Sequence, residues 1–142
     1  NQLMEYTLTR ENVRMKPAGD IYSPGGLRKK YTPENEKYIR YLEDKGAKLR
    51  YSGGFVPDIN QVLMKGKGLF MYPALDDAPQ GKLRLLFELN PMAYLIENAG
   101  GAATNGEMPI LDLMPEKLDQ RCPIYIGCHE DVAKAGEFLR GN

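Results

Sequence analysis

The stretch GKLRLLFELNPMAYLIENAGG, Gly81 to Gly101, constrains this chain more than any other. Leu83, Leu85, Phe87 and Leu89 alternate with Lys82, Arg84, Leu86 and Glu88, the period of a strand with one buried face. Asn90-Pro91 then reads as a helix start, a capping Asn followed by Pro at the first helical position. Met92, Leu95, Ile96 and Ala99 supply an apolar stripe, and Gly100-Gly101 ends it. A strand handing over to a helix is one unit of an α/β fold. On this reading Lys82, Arg84 and Glu88 share one strand face and point toward a helix N-terminus.

The same alternation recurs along the chain. MEYTLTRENVRM reads as a hairpin, with Glu11-Asn12 at the turn and Val13 to Met15 as the returning strand. KPAGDIYSPGG is loop chemistry. A helix follows, capped by Thr32, with Pro33 at its first position and Glu34 and Glu36 at the positive end of its dipole. Tyr38, Ile39, Tyr41 and Leu42 form its stripe and Gly46 its stop. LRYSGG is a short strand and turn. FVPDINQVLMKG is a helix with Phe55, Ile59, Val62 and Leu63 inward, and GLFMYPA is a strand ending at Tyr72-Pro73. AATNGEMPILDLMP gives a strand and turn, Cys122 to Gly127 a strand, and Glu130 to Leu139 a closing helix. The expected class is α/β, a mixed β-sheet flanked by helices, in one domain over residues 1–142.

Composition narrows the function. Lys plus Arg and Asp plus Glu both number 19, so no basic surplus calls for nucleic acid or an acidic membrane surface. No apolar run approaches the roughly 20 residues that span a bilayer. No charged-then-apolar leader is visible, and Cys122 and Cys128 read as reduced core residues flanking a strand, so the expected setting is cytoplasmic. His129 is the one histidine, which leaves zinc short of soft ligands and a His-based triad without its base. The chain opens Asn1-Gln2-Leu3-Met4 with no initiator Met, and the expectation is a piece of something longer.

Two features could carry chemistry. Glu88, where a strand meets a helix, is placed to hold a hard cation such as Mg²⁺, with Lys82 and Arg84 meeting phosphate or carboxylate oxygens. The plain alternative is a surface ion pair, since one carboxylate is not a metal site. Asp76 and Asp77 lie in a loop and Asp58 on the polar face of a helix. The chain also has nine tyrosines. Tyr51 follows Arg50 at a glycine-rich turn and Tyr72 ends a strand, and their phenols with the guanidinium suit a phosphate ester. The alternative is that Tyr is the large amphipathic packing residue of this fold. Lys65-Gly66-Lys67-Gly68 is too short for a phosphate loop and reads as a turn.

Gly81 to Ala93 resembles the active-site signature of class I fructose-1,6-bisphosphatases: small, basic, Leu or Ile, then an aliphatic residue, an aromatic, Glu and Pro. LFMYPA, LRYSGGFVPDI, MAYLIENAGGAAT, EYTLTRENVRM with GDIY, and PEKLDQRCPIYIG are similar to further family segments in the same order. The resemblance spans essentially the whole chain. It implies the C-terminal half of a metal-dependent sugar-bisphosphate phosphatase, with the N-terminal half absent. Such enzymes serve gluconeogenesis, use Mg²⁺ or Mn²⁺, form homotetramers, and hydrolyse the 1-phosphate of fructose 1,6-bisphosphate to leave fructose 6-phosphate. By the same resemblance Glu88 is the catalytic, metal-binding carboxylate of this half. Lys82 contacts the sugar and its 6-phosphate, Tyr51 and Tyr72 bind the 6-phosphate, and Arg50 reaches the 6-phosphate site of a neighbouring subunit. Phe55 stands where the family often has a Met lining the sugar pocket.

The chain departs from the family at three places. Pro24-Gly25-Gly26-Leu27 replaces an Asn-Glu-Gly run whose Asn, with a nearby Tyr, clamps the 6-phosphate, leaving Tyr22 or Tyr31 as substitutes. Gly53-Gly54 replaces Gly-Ser, and Asn60-Gln61 replaces His-Arg. These changes admit sedoheptulose 1,7-bisphosphate as substrate, or a non-catalytic sugar-phosphate-binding or regulatory domain. The intact signature argues against an inositol-phosphate phosphatase. The family's other metal-binding acids, its 1-phosphate loop and its AMP site belong to the N-terminal half, so this chain alone is expected to be inactive.

Overall fold

A computed structural model describes residues 5–141. Its five-stranded sheet contains β1 (Ile21–Pro24), β2 (Lys48–Leu49), β3 (Leu69–Tyr72), β4 (Ala102–Thr104) and β5 (Ile124–Gly127), in the order β2-β1-β3-β5-β4. β1 is parallel to β2 and β3, whereas β5 is antiparallel to β3 and β4. The sheet is mixed and α/β, as expected.

The two-residue period of the strands feeds two cores. Phe70 of β3 and Ile124 and Ile126 of β5 pack with α2 (Phe55–Lys65) and α3 (Asn90–Asn98) on one face. Leu69, Met71 and Tyr125 pack with α1 (Pro33–Asp44) and α4 (His129–Leu139) on the other. Val62, Leu85, Ile96, Ile124 and Ile126 are 0% exposed, and each such side chain contributes roughly 1.5–3 kcal/mol by leaving water. Burial pushes the thiols of Cys122 and Cys128 up to about 11, so both behave as inert core residues. Among the described residues no helix is long and apolar enough to cross a membrane.

The structure corrects four expectations. The N-terminal hairpin does not form among the described residues, and its first residue, Met4, lies outside them. The segment is coil, fixed where the amides of Met15 and Lys16 donate to the carbonyls of Ala99 (2.8 Å) and Gly66 (2.7 Å). Tyr6 and Leu8 of its first strand are exposed, so that strand has no buried face to hold it, and an isolated two-stranded hairpin is marginal in water. Conversely, IYSP, read as loop, is β1 at the centre of the parallel part of the sheet. Pro24 closes it without an amide to donate, and the next amide, that of Gly25, donates to the Met71 carbonyl at 2.8 Å. Asp58 is not on a polar face: it is buried and accepts from the Ser52 amide at 3.1 Å, fixing the turn that carries Tyr51.

The fourth correction concerns the opening stretch. Lys82 to Leu89 is not a strand. Arg84 makes a single bridge with Arg121, and Leu85–Leu89 forms one π-helical turn that runs into α3. The fully buried residues are Leu85, Leu89, Ala93 and Ile96, a helical stripe, while Phe87 is 55% exposed. The alternation seen in sequence was a coincidence of spacing. The amides of Leu89 and Asn90 donate to the carbonyls of Arg84 and Leu85, five residues back, in the turn just before Pro91. Pro91 has no amide to donate and crowds the carbonyl four residues earlier, and a widened turn relieves both problems.

Candidate active-site cleft

β1 and β3 lie side by side and parallel, but their connections leave for opposite faces of the sheet. β1 continues to α1 on one face, and β3 continues toward α3 on the other. A crevice opens at the carboxyl ends of strands where connections diverge in this way. Here it is an open cleft of about 640 Å³ lined by Gly26, Lys30, Tyr51, Tyr72, Lys82 and Arg121, among others.

Each wall has a local cause. Tyr72 is the last residue of β3, and its ring lies against Gly25. A Cβ on Gly25 would stand 2.3 Å from that ring, so the Pro24-Gly25-Gly26 turn packs as bare backbone. Tyr51 follows β2 on the turn held by Asp58. Burial, then neighbouring Tyr72 and Asp58, push the Tyr51 phenol above its ordinary value, so it remains a donor at neutral pH. The Lys82 ammonium sits 5.9 Å from the centre of the Tyr72 ring and has no carboxylate partner among the described residues. Lys30 is neutralised by Asp77.

The expected site residues therefore divide. Lys82, Tyr51 and Tyr72 converge on the cleft. Arg50 is exposed in an adjoining groove with Tyr51, Pro57 and Gln61, and its guanidinium donates to the Leu49 carbonyl at 2.7 Å. Phe55 is not at the cleft: its ring packs in the core, 5.0 Å from that of Phe70. Glu88 sits on the π turn outside the cleft lining, accepting from the Arg84 amide (2.8 Å) and Arg84 Nε (3.2 Å). The phenols of Tyr22 and Tyr31 are committed elsewhere. Tyr22 donates to Glu43 at 3.1 Å and Tyr31 to the Gly25 carbonyl at 2.6 Å. Arg121 and Lys30 escaped the sequence reading, because nothing in their spacing marks them as neighbours of Tyr72.

Among the described residues no three His, Cys, Asp or Glu side chains group to hold a metal ion. Glu88 offers one carboxylate already held by Arg84. This donor set fits Mg²⁺ only as a single ligand completed from elsewhere.

The fold is a helix-flanked mixed sheet with a cationic, phenol-lined crevice at its switch point, a lining whose chemistry suits a small anion. Residues 15–140 match the family described as "Fructose-1-6-bisphosphatase, C-terminal domain", and the chain belongs to that family. It is 84% identical over 141 residues to a protein of Trichlorobacter lovleyi named "Fructose-1,6-bisphosphatase class 1", covering 99% of this chain and 45% of that protein. A protein of the same name from Pelobacter propionicus is 78% identical over 139 residues, covering 98% of this chain and 43% of that protein. A crystal structure provisionally named a sedoheptulose-1,7 bisphosphatase, from Toxoplasma gondii, superposes with TM-score 0.85 at 35% identity. That match covers 90% of this chain and 41% of the other. The chain thus spans less than half the length of these relatives.

Proposed function

We propose that residues 1–142 form the sugar-phosphate-binding, C-terminal half of a cytoplasmic, homo-oligomeric phosphatase that converts fructose 1,6-bisphosphate to fructose 6-phosphate. The convergence of Lys82, Tyr51 and Tyr72 on one cleft carries this reading. The ammonium and two phenol hydroxyls would hold the phosphate that is not hydrolysed, since each donates and none repels an anion. Arg50, exposed beyond the cleft rim, would serve a neighbouring subunit's site. Glu88 would supply one ligand to Mg²⁺ or Mn²⁺, with Arg84 orienting its carboxylate until the remaining ligands arrive from an N-terminal half. The metal, when bound, would neutralise charge on the transferring phosphoryl group.

Titration calorimetry of this chain with fructose 6-phosphate and sedoheptulose 7-phosphate tests the reading. Lys82→Ala is expected to weaken fructose 6-phosphate binding at least tenfold, and the chain alone is expected to release no phosphate from either bisphosphate. Absence of binding, or Mg²⁺-dependent hydrolysis by the bare chain, would overturn it. The Toxoplasma gondii likeness and the Pro24-Gly25-Gly26 turn favour a second reading, sedoheptulose 1,7-bisphosphate as substrate. Tighter binding of the seven-carbon phosphate would select it.

A further inference from the structure

We propose that Arg121 is a positioning residue of this cleft, fixing the backbone at Lys82 and adding a second uncancelled cation to the wall that receives the phosphate. The inference rests on the sugar-phosphate reading above.

The segment from Gly81 to Arg84 has no regular structure of its own and is templated on Gln120–Pro123. The Cys122 amide donates to the Leu83 carbonyl at 3.0 Å, and the Leu85 amide to the Gln120 carbonyl at 2.8 Å. Between these rungs Arg84 pairs with Arg121 as an antiparallel bridge. The approach is close: a Cβ on Gly81, whose φ is +70°, would stand 2.9 Å from the Cys122 carbonyl. At the end of this ladder the Arg121 guanidinium donates to the Lys82 carbonyl. One side chain thereby fixes the backbone from which the Lys82 ammonium projects.

Arg121 also lines the cleft with Tyr51, Tyr72 and Lys82. Among the described residues it has no carboxylate partner, whereas Lys30 is cancelled by Asp77. Lys82 and Arg121 therefore supply the cleft's net positive charge. Arg has five N–H donors in a rigid fork, so one bond to the carbonyl leaves others for phosphate oxygens. Lysine at this position would restore the charge without the fork.

The test is calorimetry of fructose 6-phosphate on the 142-residue chain, with Arg121→Gln and Arg121→Lys beside wild type. Each is measured at low and physiological salt, and melting curves are recorded. Arg121→Gln is expected to bind at least tenfold more weakly, with a shallower salt dependence, because one of two cations is gone. Arg121→Lys should keep the wild-type salt dependence but recover only part of the affinity. Wild-type-like binding by Arg121→Gln overturns the proposal alone. So does weaker binding that tracks a lower melting point with unchanged salt dependence, the mark of a merely structural arginine. Failure of the wild-type chain to bind overturns the sugar-phosphate reading and Arg121 with it. If Arg121→Gln does not fold, Arg121→Lys decides: undiminished affinity overturns the role of the fork.

Discussion

Thr32-Pro33 and Asn90-Pro91 carry the same helix-start signal and do different things. Thr32 is extended, φ −64° and ψ 157°, and its hydroxyl accepts from the Asn35 amide at 3.4 Å and the Asn35 side chain at 3.0 Å. It caps, as its type predicts. Asn90 is already helical, φ −59° and ψ −49°, and its side-chain oxygen is buried with no partner. The difference lies upstream. Tyr31, before Thr32, is extended and bridged to Leu75, so the chain arrives as a strand would. Before Asn90, Leu85 and Leu89 continue the buried stripe of Ala93 and Ile96, so the chain arrives as a helix. A local cap signal worth about 1 kcal/mol yields to two leucines whose burial is worth several. The place where it yields is the turn that carries Glu88.

The most severe way to break this comparison is to remove a leucine. Leu89→Ala takes a fully buried side chain out of the π turn and is expected to cost about 2–5 kcal/mol. The check is the midpoint of urea unfolding, read as stability if the slope is unchanged. A cost below about 1 kcal/mol would mean that the stripe does not hold the turn.

What could be read in advance follows from the same contrast. α1, α2, β3, β5 and α4 were legible because each combines a local signal with burial of the matching period: Thr32-Pro33 agrees with Tyr38, Ile39 and Leu42. Lys82 to Leu89 misled because an apparent two-residue period concealed a buried spacing of four. β1 misled because Pro24 and its glycines mark the end of a strand as well as a loop. At the site, Lys82, Tyr51 and Tyr72 came through the resemblance and meet in one cleft. Arg121 did not, because its role depends on a carbonyl 39 residues away in sequence.

Each helix start also carries an arginine-held glutamate, and the two differ in their partners. Glu88 is held by Arg84 alone, i,i+4, with the arginine on the N-terminal side. Glu36 accepts from Arg28 at 2.9 Å and Arg40 at 3.0 Å. Arg28 and then Arg40 hold its carboxyl at about 2, below an ordinary 4.5. A depressed carboxyl stabilises the fold fully above its unfolded value and loses that contribution as pH falls through the folded value. Glu36 should therefore help above about pH 4.5 and cease to help near pH 2. Its side chain is 29% exposed, and pairs this open contribute about 0.2–1 kcal/mol each, so the two together give on the order of 1 kcal/mol. Melting temperature against pH checks this: Glu36→Gln should lie below wild type at pH 6 and converge with it near pH 2. A constant offset across that range would remove the ion pairs as the cause.

The smallest effect is the most discriminating, because it puts the same change at both starts. Thr32→Ala removes an oxygen that satisfies an otherwise orphaned helix amide and should cost about 1 kcal/mol. Asn90→Ala removes an oxygen that satisfies nothing and is itself buried and unpaired. Leaving such an atom unmade is unfavourable, and Ala is the better helix former at a residue already inside the helical run. Against this stands a small loss of packing, so Asn90→Ala is expected to be neutral or stabilising by up to about 1 kcal/mol. Paired urea titrations of the two variants measure the difference directly. If Asn90→Ala loses as much as Thr32→Ala, Asn90 caps after all, the two starts are alike, and the π turn is not what places Glu88.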